Sequence, residues 1–246
     1  MTEAVFLGTG NFLAPEGRYW NSFVLNKTVL VEPSPTALPN LRRCGFAAYD
    51  LDAIVISHFH PDHTFGWPFL ILEIIEASLR AGTRPFYVVG PPGVERYLHD
   101  MNELGSLHDV QLLVEGALDV QFVEVDGSEQ TAGSLRFRAV EVDHVPNLRC
   151  FGYLFDDGEK VIGYSGDTKP CEGLHELAQN ADVLILECNG RHAEGIPTSH
   201  MDEDSVRALR RSHPGVPFVL THMGPGLELN GIEELEVPQD FDRLEF

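Results

Sequence analysis

His58, His60, Asp62 and His63 fall within one short stretch, SHFHPDH at residues 57–63. Imidazole and carboxylate are the usual ligands of a borderline divalent metal ion. The stretch follows Asp52-Ala53-Ile54-Val55-Ile56, an apolar run with the β-branched bias of a buried strand. In a strand, residues i and i+2 share a face, roughly 6.6 Å apart. His58 and His60 can therefore point at one ion just past the strand's end. Pro61 breaks the strand and opens the next turn or helix, which lets Asp62 and His63 face a second ion close by. A polar loop with solvent-facing histidines is the competing explanation. Four ligand-type residues at this spacing, directly after a buried strand, speak for the metal site.

Four donors are too few for two ions, so partners are expected at the ends of later strands. Val140-Glu141-Val142-Asp143 leads to His144, Gly163-Tyr164-Ser165-Gly166 to Asp167, and Phe218-Val219-Leu220-Thr221 to His222. Taken singly, each could be a capped or exposed loop residue, or a common Gly-Asp turn. Their shared context with the opening stretch favours ligation, and the short carboxylate of Asp167 could bridge two ions. A nitrogen and oxygen donor set without thiolate suits zinc, and manganese or iron could use the same ligands.

The elements that must position these donors are legible from periodicity. Val5-Phe6-Leu7 begins a strand, and residues 22–31 read as a hairpin with its turn at Asn26-Lys27. Helices are expected over Pro35–Arg43, over Trp67–Ala81 with a stop at Gly82, and from an opening at Gly90-Pro91-Pro92-Gly93 to about Asn102. The Trp67–Ile75 stretch could lend a homodimer face, but burial in the core is the expectation. Phe86–Val89, Val120–Val125, Leu135–Val142, Phe151–Phe155 and Lys160–Tyr164 read as strands. Helix, strand, helix and strand follow over 172–180, 183–187, 203–212 and 218–221. Gly8-Thr9-Gly10 has Leu13 where a dinucleotide fingerprint needs glycine, and no helix follows, so a tight turn is expected there. No internal repeat or low-complexity linker interrupts the sequence, which reads as one domain over residues 1–246 with two halves, each of strands then helices. Its two sheets would pack face to face with helices outside.

Composition narrows the function. The 246 residues are 43% hydrophobic and 22% charged, enough for a sizeable core. The formal charge is -21, with only 17 Lys and Arg. A polyanion-binding protein normally carries a basic face, so tight binding to long nucleic acid is disfavoured and a small or short substrate is expected. The tail after Pro225 is acidic, with Arg243 its only cation. No apolar run approaches the roughly 18–20 residues of a membrane span. The N-terminus lacks the pattern of a secretory signal. Four cysteines stand far apart with no CxxC. A reduced, cytoplasmic setting is the expectation.

At this point the chain resembles the metallo-β-lactamase superfamily, and specifically its ribonuclease Z-like branch, over nearly its whole length. Leu7-Gly8-Thr9-Gly10, Pro15, Arg18 and Asn21-Ser22 are similar to the N-terminal segment of ribonuclease Z proteins, and HxHxDH falls on His58, His60, Asp62 and His63. The later ligands fall on His144, on Asp167 of SGDT and on His222 of LTH. The resemblance implies a four-layered αβ/βα sandwich with the site at one edge between the sheets. It implies one ion on His58, His60 and His144, another on Asp62, His63 and His222, and Asp167 shared. It also implies that His200, in TSHMDED, assists proton transfer beside the catalytic Asp62. A loop capping the next helix is the structural alternative for His200. Glu187 would orient neighbouring groups rather than bind metal. The second ligand position is His60, where the iron flavoprotein branch commonly has glutamate. His99, His108, His175, His192 and His213 fit no ligand pattern.

One departure bears on substrate. Ribonuclease Z proteins that mature tRNA usually carry a long basic, Gly-rich arm between the third-motif His and the bridging Asp. Here Val145–Gly166 is already filled by two expected strands. The expected activity is thus a two-metal phosphodiesterase using a metal-bridging hydroxide on a small or short substrate. Arg18 and Lys169 are candidate phosphate contacts. Hydrolysis of a lactone, thioester or sulfate ester, tRNA 3′ processing, and a non-enzymatic scaffold are the alternatives.

Overall fold

The computed structural model describes residues 2–110, 114, 118–190 and 199–246. One sheet holds β1 (Glu3–Gly8), β2 (Ser22–Leu25), β3 (Val29–Val31), β4 (Ala53–Val55), β5 (Pro85–Gly90), β6 (Asp119–Glu124) and, from the tail, β14 (Arg243–Glu245). Its strand order is β14-β1-β2-β3-β4-β5-β6. The other holds β7 (Glu129–Ala132), β8 (Leu135–Val142), β9 (Cys150–Asp156), β10 (Val161–Tyr164), β11 (Val183–Glu187), β12 (Phe218–Thr221) and β13 (Leu235–Glu236). Its order is β13-β12-β11-β10-β9-β8-β7. The helices are α1 (Ala37–Arg43), the single turn α2 (Pro61–Thr64), α3 (Trp67–Ala81), α4 (Val94–Leu104), α5 (Glu172–Asn180) and α6 (Glu203–Ser212).

Strand alternation explains the layering. On β1, Ala4 and Phe6 face a core between the sheets that includes Phe23, Val55, Phe151, Tyr153 and Ile185. Val5 and Leu7 point the other way, into a second core with Leu41, Trp67, Leu70, Ile71 and Leu98 from the helices. A third core joins Leu154, Leu184, Leu186 and Leu220 to Leu174, Leu177, Val206 and Leu209. Both faces of both sheets are covered, so the central strands read as continuous apolar runs. The result is the four-layered αβ/βα sandwich. Helix α3 buries Trp67, Leu70, Ile71, Ile74 and Ile75, as its spacing requires.

The β2–β3 hairpin turns at Asn26 (φ 47°) and Lys27 (φ 68°), both left-handed, which matches the twist of the paired strands. Gly8-Thr9-Gly10 is not the expected tight turn. The chain runs on past β1, and Gly10 bridges in parallel to both Trp20 and Met223. Gly8 is needed because a Cβ there would lie 2.1 Å from the Trp20 carbonyl oxygen. Three strands were illegible in sequence. β7 is polar and lies at a sheet edge, and β13 and β14 are only two and three residues long. The acidic tail is thereby structural: it adds one edge strand to each sheet, and Arg243 pairs with Glu3 at 2.7 Å.

Strands β3 to β6 run parallel, as do β10 to β13. Their C-terminal ends gather at one edge of the sandwich. The loops leaving β4, β8, β10 and β12 carry His58–His63, His144, Asp167 and His222.

Candidate metal centre

Each donor reaches the edge by a local device. His60 precedes Pro61 and is extended (φ -67°, ψ 149°), as a residue before proline must be. Pro61 then starts α2, and the Thr64 hydroxyl donates to the His60 carbonyl at 2.9 Å, fixing the bend. Gly166 is left-handed (φ 58°), and a Cβ there would meet the Phe151 carbonyl oxygen at 2.6 Å. That tight passage aims Asp167 inward. His222 is also left-handed (φ 48°), a costly conformation for a residue with a side chain.

The seven predicted ligands come together. His58 Nε2 lies 2.9 Å from His60 Nδ1, and His144 Nε2 lies 3.3 Å from the same atom. Asp62 Oδ2 is 3.4 Å from His63 Nε2 and 3.3 Å from His222 Nε2. Between the two groups stands one oxygen, Asp167 Oδ2. It is 3.9 and 4.0 Å from the Nε2 atoms of His58 and His144, and 3.4 and 3.3 Å from those of His63 and His222. In each set, three side chains and Asp167 offer donor atoms that all lie within 4.8 Å of one another.

A cation fits this arrangement better than hydrogen bonds do. Both ring nitrogens of His63, Asp167 Oδ1 and His222 Nδ1 are buried without a hydrogen-bond partner. Such orphaned groups are costly unless something else pairs with them. Burial holds the His58 imidazole well below its usual pKa, with the neighbouring His63 adding to the effect. Burial likewise pulls His144 down to about 4 and lowers His60. These rings are neutral at physiological pH, the form that ligates metal. Burial would also depress His63, but the carboxylates of Asp167, Asp62 and Glu32 outweigh it and push the pKa well up. Burial opposes ionisation of Asp62 and Asp167, yet His63 and His222 hold both well below the usual carboxylate range. Burial pushes the Cys150 and Cys188 thiols up to about 12, so neither supplies a thiolate.

Neighbouring polar groups fix the rings of these donors. His58 Nδ1 lies 2.9 Å from Ser57 Oγ, and His144 Nδ1–H donates to the Ser199 carbonyl at 2.7 Å. Glu32 is the residue that sequence reasoning missed. Its fully buried carboxylate accepts from the Ser57 amide and from the Tyr164 hydroxyl at 3.0 Å, and lies 3.4 Å from His63 Nδ1. The signal available was a charged residue directly after an apolar strand, in VLVEP.

His200 stands beside the cluster. Its Nδ1–H donates to Glu187 Oε1 at 2.8 Å, and its ring lies 4.7 and 5.4 Å, centroid to centroid, from those of His144 and His222. Burial would lower its pKa, but Glu187 and then Asp167 raise it to about 9. Glu187 also accepts from the Thr168 and Asn189 amides. The helix-capping duty belongs instead to Asp202, which accepts from the Ser205 amide.

The two candidate phosphate contacts are otherwise engaged. Arg18 donates to the Thr9 hydroxyl and to the Pro238 carbonyl, and Lys169 pairs with Asp143 at 3.2 Å. His99 packs edge-on against Phe122, and His175 and His213 pair with each other at 2.9 Å. His192 lies outside the described residues. The interval from His144 to Asp167 holds β9 and β10, with no arm.

Comparison with known proteins agrees with this architecture. A family model for the beta-lactamase superfamily domain matches residues 27–223. Ribonuclease Z of Mycobacterium bovis (strain BCG / Pasteur 1173P2) is 27% identical over 278 residues, covering 100% of this chain and 98% of that protein. Ribonuclease Z of Methanosarcina mazei is 27% identical over 273 residues, covering 91% and 88%. Among solved structures, a diphosphatase from the PhnP family superposes with a TM-score of 0.78 at 19% identity, covering 100% of this chain and 98% of that one. The short form of human tRNase Z superposes with a TM-score of 0.76 at 20% identity, covering 99% and 98%. The chain belongs to the metallo-β-lactamase superfamily, as a hydrolase of its ribonuclease Z-like branch.

Proposed function

We propose that residues 1–246 form one two-metal phosphodiesterase domain acting on a small or short phosphodiester. The observation that carries this reading is Asp167 Oδ2, one oxygen within 4.0 Å of ring nitrogens from both donor sets. His58, His60 and His144 would hold one ion, Asp62, His63 and His222 the other, and Asp167 both. The donor set of imidazole and carboxylate favours zinc. When bound, two such ions supply an activated water and positive charge for the oxygens of an in-line displacement.

The chain's own residues supply the rest. Asp62 reaches solvent at the rim of the cluster, with its side chain 11% exposed, and accepts a hydrogen bond from the entering water. His200, kept protonated by Glu187, gives a proton from Nε2 to the leaving oxygen, and Glu187 holds the resulting neutral ring in place. Ser57, Ser199 and Glu32 keep the ligand rings oriented while this happens.

Three features favour a small substrate over tRNA. The formal charge is -21, no arm interrupts β9 and β10, and Arg18 and Lys169 already pair with other residues of the chain. The four free cysteines and the absence of a helix long and apolar enough to cross a membrane, among the described residues, are in keeping with a cytoplasmic setting.

Bis-p-nitrophenyl phosphate is the test substrate, set against simple ester and lactone substrates. The expected result is turnover of the phosphodiester that is lost on chelation and restored by zinc. Full activity after removal of all metal would overturn the reading.

A further inference from the structure

The charge distribution poses a question about affinity. An acidic chain whose candidate phosphate cations pair with its own residues offers a substrate few side-chain cations beyond the proposed metal ions. Contacts to the part of the substrate beyond the phosphate fall to other groups. Beside the site, Phe12 and Leu13 are 51% and 62% exposed. The Phe12 ring lies 6.5 Å from that of His200, centroid to centroid, with the planes only 15° apart. An exposed apolar pair at this place is unusual only because its backbone is fastened. The Trp20 indole N–H donates to the Phe12 carbonyl at 3.0 Å, and the Leu13 amide donates to Asn11 Oδ1 at 3.1 Å. Asn11 in turn donates its amide to the carbonyl of Met223, the residue after His222. Ala14 closes the loop in the left-handed region (φ 43°), which a non-glycine residue adopts at a cost. A pre-ordered loop thus presents an aromatic face at a fixed offset from the proton donor, and pre-ordering spares the entropy of arranging it at binding.

Resting on the proposed phosphodiesterase reading, we propose that Phe12, with Leu13 beside it, is a specificity platform for an aromatic group carried on the leaving oxygen of the substrate. His200 addresses that oxygen, so whatever the oxygen carries lies next to His200, where Phe12 is. The substrate class is then a small phosphodiester with an aryl or other flat aromatic leaving group, that group held by stacking.

The test compares phenylphosphonate with methylphosphonate as ligands of the zinc-loaded protein, by calorimetry, and as competitive inhibitors of bis-p-nitrophenyl phosphate turnover. Phe12→Ala should weaken phenylphosphonate about two- to tenfold while changing methylphosphonate less than about twofold. Phe12→Trp should keep the preference, and Phe12→Leu should keep part of it. For bis-p-nitrophenyl phosphate, Phe12→Ala should raise KM with kcat nearly unchanged. Equal effects on the two phosphonates, or none on either, would overturn the platform while leaving chelator-sensitive hydrolysis, and so the two-metal reading, intact. Absence of chelator-sensitive hydrolysis in the unaltered protein would overturn both.

Discussion

His200 Nδ1 lies 2.8 Å from Glu187 Oε1, and both side chains are buried beside Asp167. A histidine that donates one N–H to a buried carboxylate has its other nitrogen fixed in place and kept basic, the combination a proton donor needs. His200→Ala should lower kcat about 10²- to 10⁴-fold with metal content unchanged. Glu187→Gln should cost about 10- to 100-fold. The loss in His200→Ala should be smaller for p-nitrophenyl than for alkyl leaving groups, because a good leaving group needs no proton. Equal losses for both would remove His200 from proton transfer.

Asp167 is the one residue common to both donor sets. Asp167→Ala should reduce bound metal, measured by elemental analysis, and lower activity by about 10³-fold or more. Circular dichroism should show the fold retained, since the three apolar cores contain no part of Asp167. Normal metal content in the variant would refute the bridging role.

Glu32 ties three elements together from inside the sandwich: the Ser57 amide, the Tyr164 hydroxyl and His63. Glu32→Ala would leave the Ser57 amide buried without a partner and take from the Tyr164 hydroxyl its acceptor, at a cost of about 2–4 kcal/mol in folding stability. Glu32→Gln keeps the bulk and one acceptor and should fold, but bind metal about 10- to 100-fold more weakly. Denaturant titration and zinc titration separate the two effects. A Glu32→Gln variant with unaltered metal affinity would limit Glu32 to a packing role.

Asp157 links the N-terminus to the β9–β10 turn. It accepts from the Thr2 hydroxyl, from Asn26 at 3.3 Å, and from the Glu159 and Lys160 amides at 2.9 Å each. Slight burial would raise its pKa, but these donors lower it to about 2. The folded pKa is below the unfolded one, so the contribution is present above about pH 4 and lost as pH falls towards 2. Asp157→Asn should therefore flatten the dependence of stability on pH in that window, as followed by urea unfolding at stepped pH. An unchanged pH dependence would show that the link does not survive in solution.

Local sequence determined the candidate donor set of this protein and most of its elements. The HxHxDH spacing, the proline that bends it and the apolar strands ending in His144, Asp167 and His222 are short-range signals. α3, α5, α6, β8, β11 and β12 have the bounds that periodicity predicts. Tertiary structure alone decided the rest. It decided that β7, β13 and β14 exist, because edge strands of only two to four residues form only where a sheet offers unpaired backbone. It turned Gly8-Thr9-Gly10 from a turn into a bridge between the sheets, because Trp20 and Met223 arrive there from elsewhere in the chain. It also revealed Glu32, and fastened Phe12 beside His200. Ligands sharing a motif are visible as spacing, whereas groups that orient them are chosen by proximity across the fold, which spacing does not encode.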